Sequence, residues 1–363
     1  MATSRVPPAW VVRPLLAARN GIARVHRGVV PPEVTLFERS LGIVDTKALA
    51  VAADLGIADV LGGDGRTADE VAESLGVDAD ALDRLLRFLV GRGIFRRASN
   101  GRYRNNRVST LLCSDHDASM RPWVRFFGAR WHVAIWNRLD HSVATGESAA
   151  QAALGHEFWH HLTVEDRDAG RVFDDAMEAA SRVQQGIIAT KYDWPSGGRV
   201  CDVGGGTGTL LGAILGASSS LTGVLFDLPA VVANAGPVLE RAGVSDRVEV
   251  VGGDFFESVP PGCDRYVLQA IVHDWDDGSC VRFLTRCREA LAPGGRVLVL
   301  EQTVPEHDGD HLVKTLDLEM LVDTGKGRER TRVEFDTLFA KAGLRVKKVV
   351  PIAITSLYDL EPT

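Results

Sequence analysis

A histidine and a glutamate at two predicted strand ends are the side chains of this sequence best suited to moving a proton. His273 follows a predicted strand over 264–270, and Glu301 ends the next one, over 296–300. Ligands of open α/β sheets bind at the carboxyl ends of the strands. We therefore expect both side chains to lie together at that end of the predicted sheet. An imidazole whose far nitrogen is held by a carboxylate suits a general base near neutral pH. Alternatively, His273 only packs within a segment that caps the helix predicted over 279–291.

A glycine cluster follows an earlier apolar run and suggests a binding loop. Residues 199–203 are short and rich in β-branched side chains, as expected of a buried strand, and Gly204, Gly206 and Gly208 follow. Glycines let a ligand lie directly against the backbone, and a helix that begins after them can receive a negative group. The G-x-G-x-G spacing differs from that of dinucleotide enzymes and of phosphate-binding P-loops. A tight strand-to-helix turn without a ligand is the alternative.

Acidic residues at two further strand ends favour the binding interpretation. Asp227 follows a strand predicted over 221–226 and lies about 20 residues beyond the glycines, where doubly wound folds bind a ribose diol. Asp254 and Phe255 follow the strand predicted over 247–251. Asp254 could accept a hydrogen bond from an adenine amino group, and Phe255 could lie on the ring face. Three such strand ends in succession favour a ligand site over solvated loop tips.

These motifs resemble those of a known enzyme family. The S-adenosylmethionine motifs of class I methyltransferases are matched by Asp202-x-Gly204-x-Gly206-x-Gly208, Asp227-Leu228-Pro229 and Gly253-Asp254-Phe255-Phe256. The plant-type small-molecule O-methyltransferases and their bacterial relatives are matched by His273-Asp274-Trp275, Glu301-Gln302-x-x-Pro305 and Gly327-Arg328-Glu329-Arg330-Thr331. The resemblance covers about residues 35–355. It implies a Rossmann-like, doubly wound α/β domain that binds S-adenosylmethionine, and an N-terminal, mostly helical winged-helix domain for dimerisation.

The resemblance also implies roles for individual residues. Cofactor contacts are implied for Ser181, Asp202, Gly204, Gly206, Gly208, Asp227, Leu228, Asp254, Phe255 and Gln269. Gln269 stands where the family has a lysine. Substrate contacts are expected for Trp131, Met177, Asp274 and Met320, and catalytic roles for His273, Glu301 and Glu329. Alternatively, Glu329 has no catalytic role and only forms surface ion pairs with Arg328 and Arg330. No metal ligand cluster is apparent in the sequence, so we expect no metal.

Length, charge and cysteine content define the broader class. A chain of 363 residues favours two domains, and we place an extension at 1–33, a helical domain at 34–192 and a catalytic domain at 193–363. The net charge of -7 argues against a general binder of polyanions. Five scattered cysteines without C-x-x-C spacing indicate reduced thiols, and therefore a cytoplasmic protein. No apolar run approaches membrane-spanning length.

The N-terminal half suggests a winged helix. A helical pattern over 34–61 is followed by two short helices and by an arginine-rich stretch that predicts a two-stranded wing. A DNA-binding regulator would share this pattern, but Asp78, Asp80 and Asp83 cluster at the start of the would-be recognition helix. Since phosphate attraction dominates DNA binding, we expect no nucleic-acid partner. In the resembled family this fold serves dimerisation, and we therefore expect a homodimer.

Together these observations favour an S-adenosylmethionine-dependent O-methyltransferase that acts on a hydroxyl group of an aromatic small molecule, such as a secondary metabolite. The aromatic-rich stretch over 115–147 would form core and line part of an apolar cavity. The alternative keeps the fold but changes the reaction to a hydroxylation, decarboxylation or ring formation, because a fold does not determine a function.

Overall fold

The computed structural model describes residues 18, 21, 22, 25 and 28–363, except 353–354. Over 181–187 only the helical backbone is described. Most of the extension at 1–33 and the side chain of Ser181 therefore lie outside what the structure describes. None of the described helices combines the length and the apolar character needed to cross a membrane.

The chain forms two compact units that are not continuous in sequence. The first contains the described residues of Gly21–Arg138 together with Gln151–Val183. The second contains Leu139–Ala150 and Gln184–Thr363. The domain boundaries proposed from the sequence, at residues 34 and 193, stay predictions.

The first unit is mostly helical. Its helices are α1 (Pro32–Ser40), α2 (Gly42–Asp54), α3 (Ile57–Leu61), α4 (Ala68–Leu75), α5 (Ala79–Gly91), α6 (Arg121–Gly128), α7 (Arg130–Trp136), α9 (Ala149–Leu154), α10 (Phe158–His160) and α11 (Arg167–Lys191). Two of them are shared with the second unit, since α9 begins in it and α11 continues into it. A 3₁₀ turn at Ser109–Leu112 and a π turn at His161–Glu165 complete it. The short helix α8 (Leu139–Thr145) belongs to the second unit.

The predicted winged helix is present in the first unit. Antiparallel strands β1 (Phe95–Arg97) and β2 (Tyr103–Asn105) form the wing, and Arg66 extends it with two backbone hydrogen bonds to Tyr103. Helix α4 begins where the sequence predicts, because Thr67 and Glu70 form a capping box. The apolar stripe of α5 faces the core, with Leu82, Leu86 and Leu89 buried.

Helices α1 and α2 present large apolar side chains to solvent. The alanines of α2 are buried in the core of this unit. The exposed set is instead made of larger residues: Val34, Leu36, Phe37, Leu41, Ile43, Val44 and Val51. Several such side chains on two consecutive helices form an apolar surface that monomeric proteins rarely carry.

A mixed sheet organises the second unit. Its strands are β3 (Gly198–Val203), β4 (Leu221–Asp227), β5 (Val248–Gly252), β6 (Cys263–Gln269), β7 (Leu291–Val304), β8 (Arg330–Thr331), β9 (Leu344–Ile352) and β10 (Thr355–Pro362). The order is β5-β4-β3-β6-β7-β10-β9, and the five strands from β5 to β7 are parallel. Strands β10 and β9 run antiparallel to their neighbours and complete one edge of the sheet.

Alternation along the strands gives the sheet two apolar faces. One face carries Cys201, Tyr266 and Val299 and is covered by helices α15 (Asp277–Ala290) and α17 (Arg332–Lys341). The other face carries Val200, Leu225 and Leu298 and is covered by helix α12 (Thr209–Ala217). The remaining helices of this unit are α13 (Pro229–Val232), α14 (Gly236–Ala242) and α16 (Leu312–Asp323). Burial on both faces explains why the parallel strands are nearly continuous apolar runs.

Candidate active site

The strand order reverses between β3 and β6, and the candidate residues gather beyond the carboxyl ends of these strands. Successive strands are added on one side from β3 to β5, and the chain then returns to place β6 on the other side. Such a switch point leaves a crevice in which α/β proteins bind ligands. The segment after β6, residues 270–275, carries His273 and is called here the His273 loop.

The His273 loop begins with a strained residue. Ala270 has a φ of 55°, the one positive value outside glycine among the residues that the structure describes. Left-handed backbone is unfavourable for residues with a Cβ and persists where the surroundings enforce it. Here the chain must turn sharply from the strand, and the Ile271 side chain fills the space that a Cβ on Gly204 would need. The turn therefore joins the His273 loop closely to the glycine loop.

The carboxylate of Glu301 holds both the backbone of this loop and the imidazole. One oxygen, Oε1, accepts from the backbone N–H groups of Ile271, Val272 and His273 at 3.0, 2.7 and 3.3 Å. The other, Oε2, lies 2.8 Å from His273 Nδ1. The Glu301 side chain is only 1% exposed. This arrangement fixes Nδ1 towards Glu301 and leaves Nε2 as the nitrogen that can exchange a proton.

A second buried side chain holds the loop from the opposite direction. The Arg330 guanidinium donates to the carbonyls of Val272 and Trp275 at 2.9 and 2.8 Å. Its charge is paired with Asp277, with a closest distance of 2.8 Å. Backbone N–H of Arg328 donates to the His273 carbonyl at 2.7 Å. Together with the contacts of Glu301, these bonds hold the backbone of the loop at Ile271, Val272, His273 and Trp275.

Carboxylates control the charge of His273. Burial lowers the pKa of His273, but Glu301 and Asp274 outweigh this effect and raise the pKa to about 10. Asp274 Oδ1 lies 3.5 Å from Nε2, and burial raises the pKa of Asp274 to about 6. These groups titrate as a coupled set. The imidazole therefore holds a proton at neutral pH, and its neutral form gains population as the pH rises.

Glu329 is buried beside this pair. It is 3% exposed, its Oε2 has no hydrogen-bond partner among the described residues, and its backbone N–H donates to Asp317 at 2.9 Å. Burial raises the pKa of Glu329 to about 8, so it is mainly a neutral acid at pH 7 and able to donate a hydrogen bond. The alternative of a surface ion pair is wrong, because both Glu329 and Arg330 are buried and Arg330 pairs with Asp277. Met320, half-buried, lies one turn beyond Asp317 on α16.

The glycine loop, residues 204–208, has the conformation that its residue types suggest. Gly204, Gly206 and Gly208 have φ values of 68°, 60° and 85°, a region that favours glycine. A Cβ on Gly206 would meet nothing within 4 Å, whereas Cβ atoms on the other two would contact neighbouring side chains. Gly206 is therefore the point where open space meets the backbone. Helix α12 begins at Gly208 without a side-chain cap.

Asp227 supports the glycine loop as well as facing the crevice. Its Oδ2 accepts from Gly206 N–H at 2.8 Å, and its Oδ1 accepts from Leu228 N–H at 2.6 Å. Each oxygen retains a lone pair for a further donor. The next strand is tied to the same residue, because Gly253 N–H donates to the Asp227 carbonyl. The ends of β4 and β5 are thus joined at this residue.

Asp202 provides a buried acceptor below the glycine loop. It is 1% exposed, and its Oδ2 has no partner among the described residues. Burial, reinforced by Asp227, raises the pKa of Asp202 to about 7. An unpaired carboxylate oxygen, an acidic strand end and the open space at Gly206 together fit a ligand that has hydroxyl or ammonium donors and a positive charge, as S-adenosylmethionine has.

The other predicted cofactor residues are distributed around the same strand ends. Leu228 is 53% exposed, Asp254 is exposed and accepts from Phe256 N–H, and Gln269 is the last residue of β6. The ring of Phe255 packs against Phe256 and Phe283, with centroids 4.8 and 5.2 Å away. These positions are compatible with the assigned roles, which stay predictions.

Three predicted residues lie in the first unit. Trp131 packs against Phe126, Phe158 and His161, and Met177 is half-buried on α11. Ser181 lies one turn further along the same helix. Their roles in cofactor or substrate binding also stay predictions.

Sequence reasoning missed the residues that position His273. Arg330 was interpreted only as a charged neighbour of Glu329, although it is buried and bonds the loop. Asp317 and the strained Ala270 were not singled out at all. The position of Arg330 directly after Glu329 in a short motif was the available signal. No local pattern identifies Ala270, because its strain depends on a packed neighbour.

Comparisons with known proteins agree with this geometry. A model of the O-methyltransferase domain matches residues 136–345, and a model of the O-methyltransferase dimerisation domain matches residues 37–115. The mitomycin biosynthesis 6-O-methyltransferase of Streptomyces lavendulae is 37% identical, over 88% of this chain and 91% of that protein. The 2,7-dihydroxy-5-methyl-1-naphthoate 7-O-methyltransferase of Streptomyces carzinostaticus is 40% identical, over 86% and 93%.

A solved structure extends the comparison to a bound cofactor. An O-methyltransferase from neocarzinostatin biosynthesis, crystallised with S-adenosylmethionine and 2-hydroxy-5-methyl naphthoic acid, is 38% identical to this chain. It superposes with a TM-score of 0.76 over 88% of this chain and 96% of that structure. The chain therefore belongs to the O-methyltransferase family that carries a dimerisation domain, and it is an S-adenosylmethionine-dependent O-methyltransferase of secondary metabolism.

Proposed function

We propose that this enzyme methylates a hydroxyl group of an aromatic small molecule and that His273 is the general base. The observation that carries the proposal is the 2.8 Å contact between His273 Nδ1 and Glu301, which leaves Nε2 available at the switch point of the sheet. One relative named above is by name a methyltransferase of a dihydroxylated naphthoate, and another was crystallised with a hydroxylated naphthoic acid, which supports the same class of acceptor here.

The chemistry divides simply between ligand and protein. When bound, S-adenosylmethionine supplies an electrophilic methyl group on a sulfonium sulfur. Nε2 of the neutral His273 imidazole would take the proton of the acceptor hydroxyl while that oxygen accepts the methyl group, and the neutral thioether would leave. Glu301 holds Nδ1–H and stabilises the imidazolium that results. Glu329, in its neutral form, donates a hydrogen bond towards the acceptor. A phenol near pKa 10 is mostly protonated at pH 7, so a positioned base contributes about 10²–10⁴-fold.

We expect His273→Ala to lower methyl transfer by about 10²–10⁴-fold, because the acceptor then loses its base. The measurement follows label from the S-adenosylmethionine methyl group into a panel of hydroxylated naphthoic and benzoic acids. Glu301→Gln should approach the same loss, because a side-chain amide that donates to Nδ1 leaves the proton on Nε2. His311→Ala, a change to a half-buried histidine elsewhere in the unit, is the matched control. Near-normal turnover by His273→Ala at pH 7 would contradict the proposal.

The pH profile of kcat/KM tests the charge state of the base. Since neighbouring carboxylates raise the pKa of His273 to about 10, the rate should climb with pH throughout the neutral and alkaline range. Asp274→Asn removes one of these carboxylates and lowers that pKa, so the rising limb should move to lower pH. An ordinary phenol also titrates near pH 10. However, the pH dependence of kcat/KM reflects the pKa values of the free enzyme and of the free substrate. A rise in rate caused by ionisation of the phenol would therefore stay at the same pH in this variant.

Asp227 is proposed to bind the ribose hydroxyls of the cofactor. Because it also accepts from Gly206, a truncation to alanine would disturb the loop as well as the ligand contact. Asp227→Asn keeps an acceptor for Gly206 and removes the charge. Two hydrogen bonds that lose charge assistance should weaken S-adenosylmethionine binding by about 1–4 kcal/mol. Titration calorimetry measures the change, with an unshifted unfolding midpoint as the check on the fold and the exposed Asp246→Asn as control. Unchanged affinity would remove Asp227 from the site.

The enzyme is proposed to form a homodimer through the apolar surface of α1 and α2. The match to a dimerisation domain at 37–115 overlaps this surface, and Phe37 is 65% exposed there. A stable interface of this kind buries more than about 1,000 Å². We expect the wild type to sediment as a dimer at micromolar concentration and Phe37→Asp to shift it towards monomer. Val333→Asp, a change to a valine that is 63% exposed on α17, should leave the dimer intact. A wild-type monomer would rule the proposal out.

A further inference from the structure

Two histidines and a glutamate converge at the surface of the first unit, and none of them is among the residues assigned to catalysis or cofactor binding. The ligand atoms of His156, His160 and Glu165 all lie within 4.8 Å of one another. Nε2 of His160 is 3.1 Å from Glu165 Oε1, and Nε2 of His156 is 3.9 Å from Glu165 Oε2. These three residues are called here the His156 cluster, and the expectation from the sequence that no metal is bound stays a prediction.

Local backbone geometry explains why the cluster forms. His156 and His160 are four residues apart around the start of α10, and their ring centroids lie 5.5 Å apart. Glu165 is five residues beyond His160, a spacing that would point it elsewhere on an α-helix. Residues His161–Glu165 instead form a π turn, closed by a 2.8 Å bond from Asp166 N–H to the His161 carbonyl. Because a π turn stacks residues five apart, Glu165 returns to the side occupied by His160.

Buried residues and close packing against α11 fix the segment that carries the cluster. Phe158 and Leu162 alternate with the cluster residues and are 4% and 5% exposed. Gly170 of α11 approaches so closely that a Cβ would lie 2.4 Å from the Leu162 carbonyl oxygen. Asp166 caps the same helix by accepting from Asp168 and Ala169. A metal site needs ligand side chains whose backbone is fixed by packing, and this segment provides three of them on such a backbone.

We propose that the His156 cluster binds a divalent transition metal of the zinc class. Two imidazole nitrogens and a carboxylate form a donor set that zinc favours, with a fourth position open to water. In a tetrahedral site with metal–ligand bonds of ~2.0–2.1 Å, the ligand atoms lie about 3.3–3.4 Å apart. The distances from His160 Nε2 and His156 Nε2 to the Glu165 oxygens, 3.1 and 3.9 Å, lie on either side of this value. The three side chains are 39–47% exposed, so the metal can enter from solvent and small rotations can complete the geometry.

The chain contains a matched control. His307 and His311 are also four residues apart, with ring centroids separated by 6.3 Å. In each, Nδ1 already accepts a backbone N–H, from Gly309 and Val313 respectively. Within the part of the chain that the structure describes, this pair is not joined by a third ligand at metal-binding distance. Histidine spacing alone is therefore common to both pairs, and the carboxylate distinguishes the proposed site.

The test is a titration of metal-free enzyme with zinc chloride, followed by calorimetry and by the unfolding temperature. One saturable site should appear and raise the unfolding temperature. His160→Ala and Glu165→Gln should each weaken it by more than the ~10–100-fold typical of outer-shell changes, because they remove a ligand. The double variant His307→Ala/His311→Ala should bind as the wild type does. Cobalt(II) should give an absorption spectrum without thiolate charge-transfer bands. An absent site, or one that survives loss of His160 and Glu165, would overturn the proposal.

Discussion

The candidate active site depends on one buried carboxylate that has two different tasks. Oε1 of Glu301 gathers three successive backbone N–H groups, and Oε2 holds the imidazole of His273. Three backbone N–H donors directed at one oxygen hold this carboxylate in place and complement its charge. The same charge then raises the pKa of His273. Conformation of the loop and basicity of the ring are therefore coupled, and neither can change without the other.

An excess of acid around this carboxylate sets the character of the crevice. Asp202, Asp274 and Glu329 are shielded from solvent, and burial raises the pKa of each. The buried cation close to His273 is Arg330, but its charge is already paired with Asp277. In their ionised forms these acids favour a cationic ligand and disfavour an anionic one. This preference agrees with a sulfonium cofactor and follows from the protein alone.

Much of this arrangement could be predicted from the sequence, because it depends on local patterns. Apolar runs bounded by glycines predict the parallel strands, and the strand ends predict the neighbourhood of Asp227, His273 and Glu301. The capping box at Thr67 is likewise a local signal. What escaped prediction depends on contacts between distant segments. The bond from Asp227 to Gly206, the burial of Arg330 and the π turn beside His160 all result from packing that no short window of sequence contains.

The interleaving of the two units along the chain has a consequence for how such enzymes can be recombined. Leu139–Ala150 belongs to the second unit, although residues of the first unit precede and follow it in the sequence. Within residues 28–363, apart from 353–354, the polypeptide therefore passes from one unit to the other at 138–139, 150–151 and 183–184. A single crossover between two genes cannot exchange either unit whole. Chimaeras, natural or engineered, need several junctions, and those at 150–151 and 183–184 fall inside helices α9 and α11.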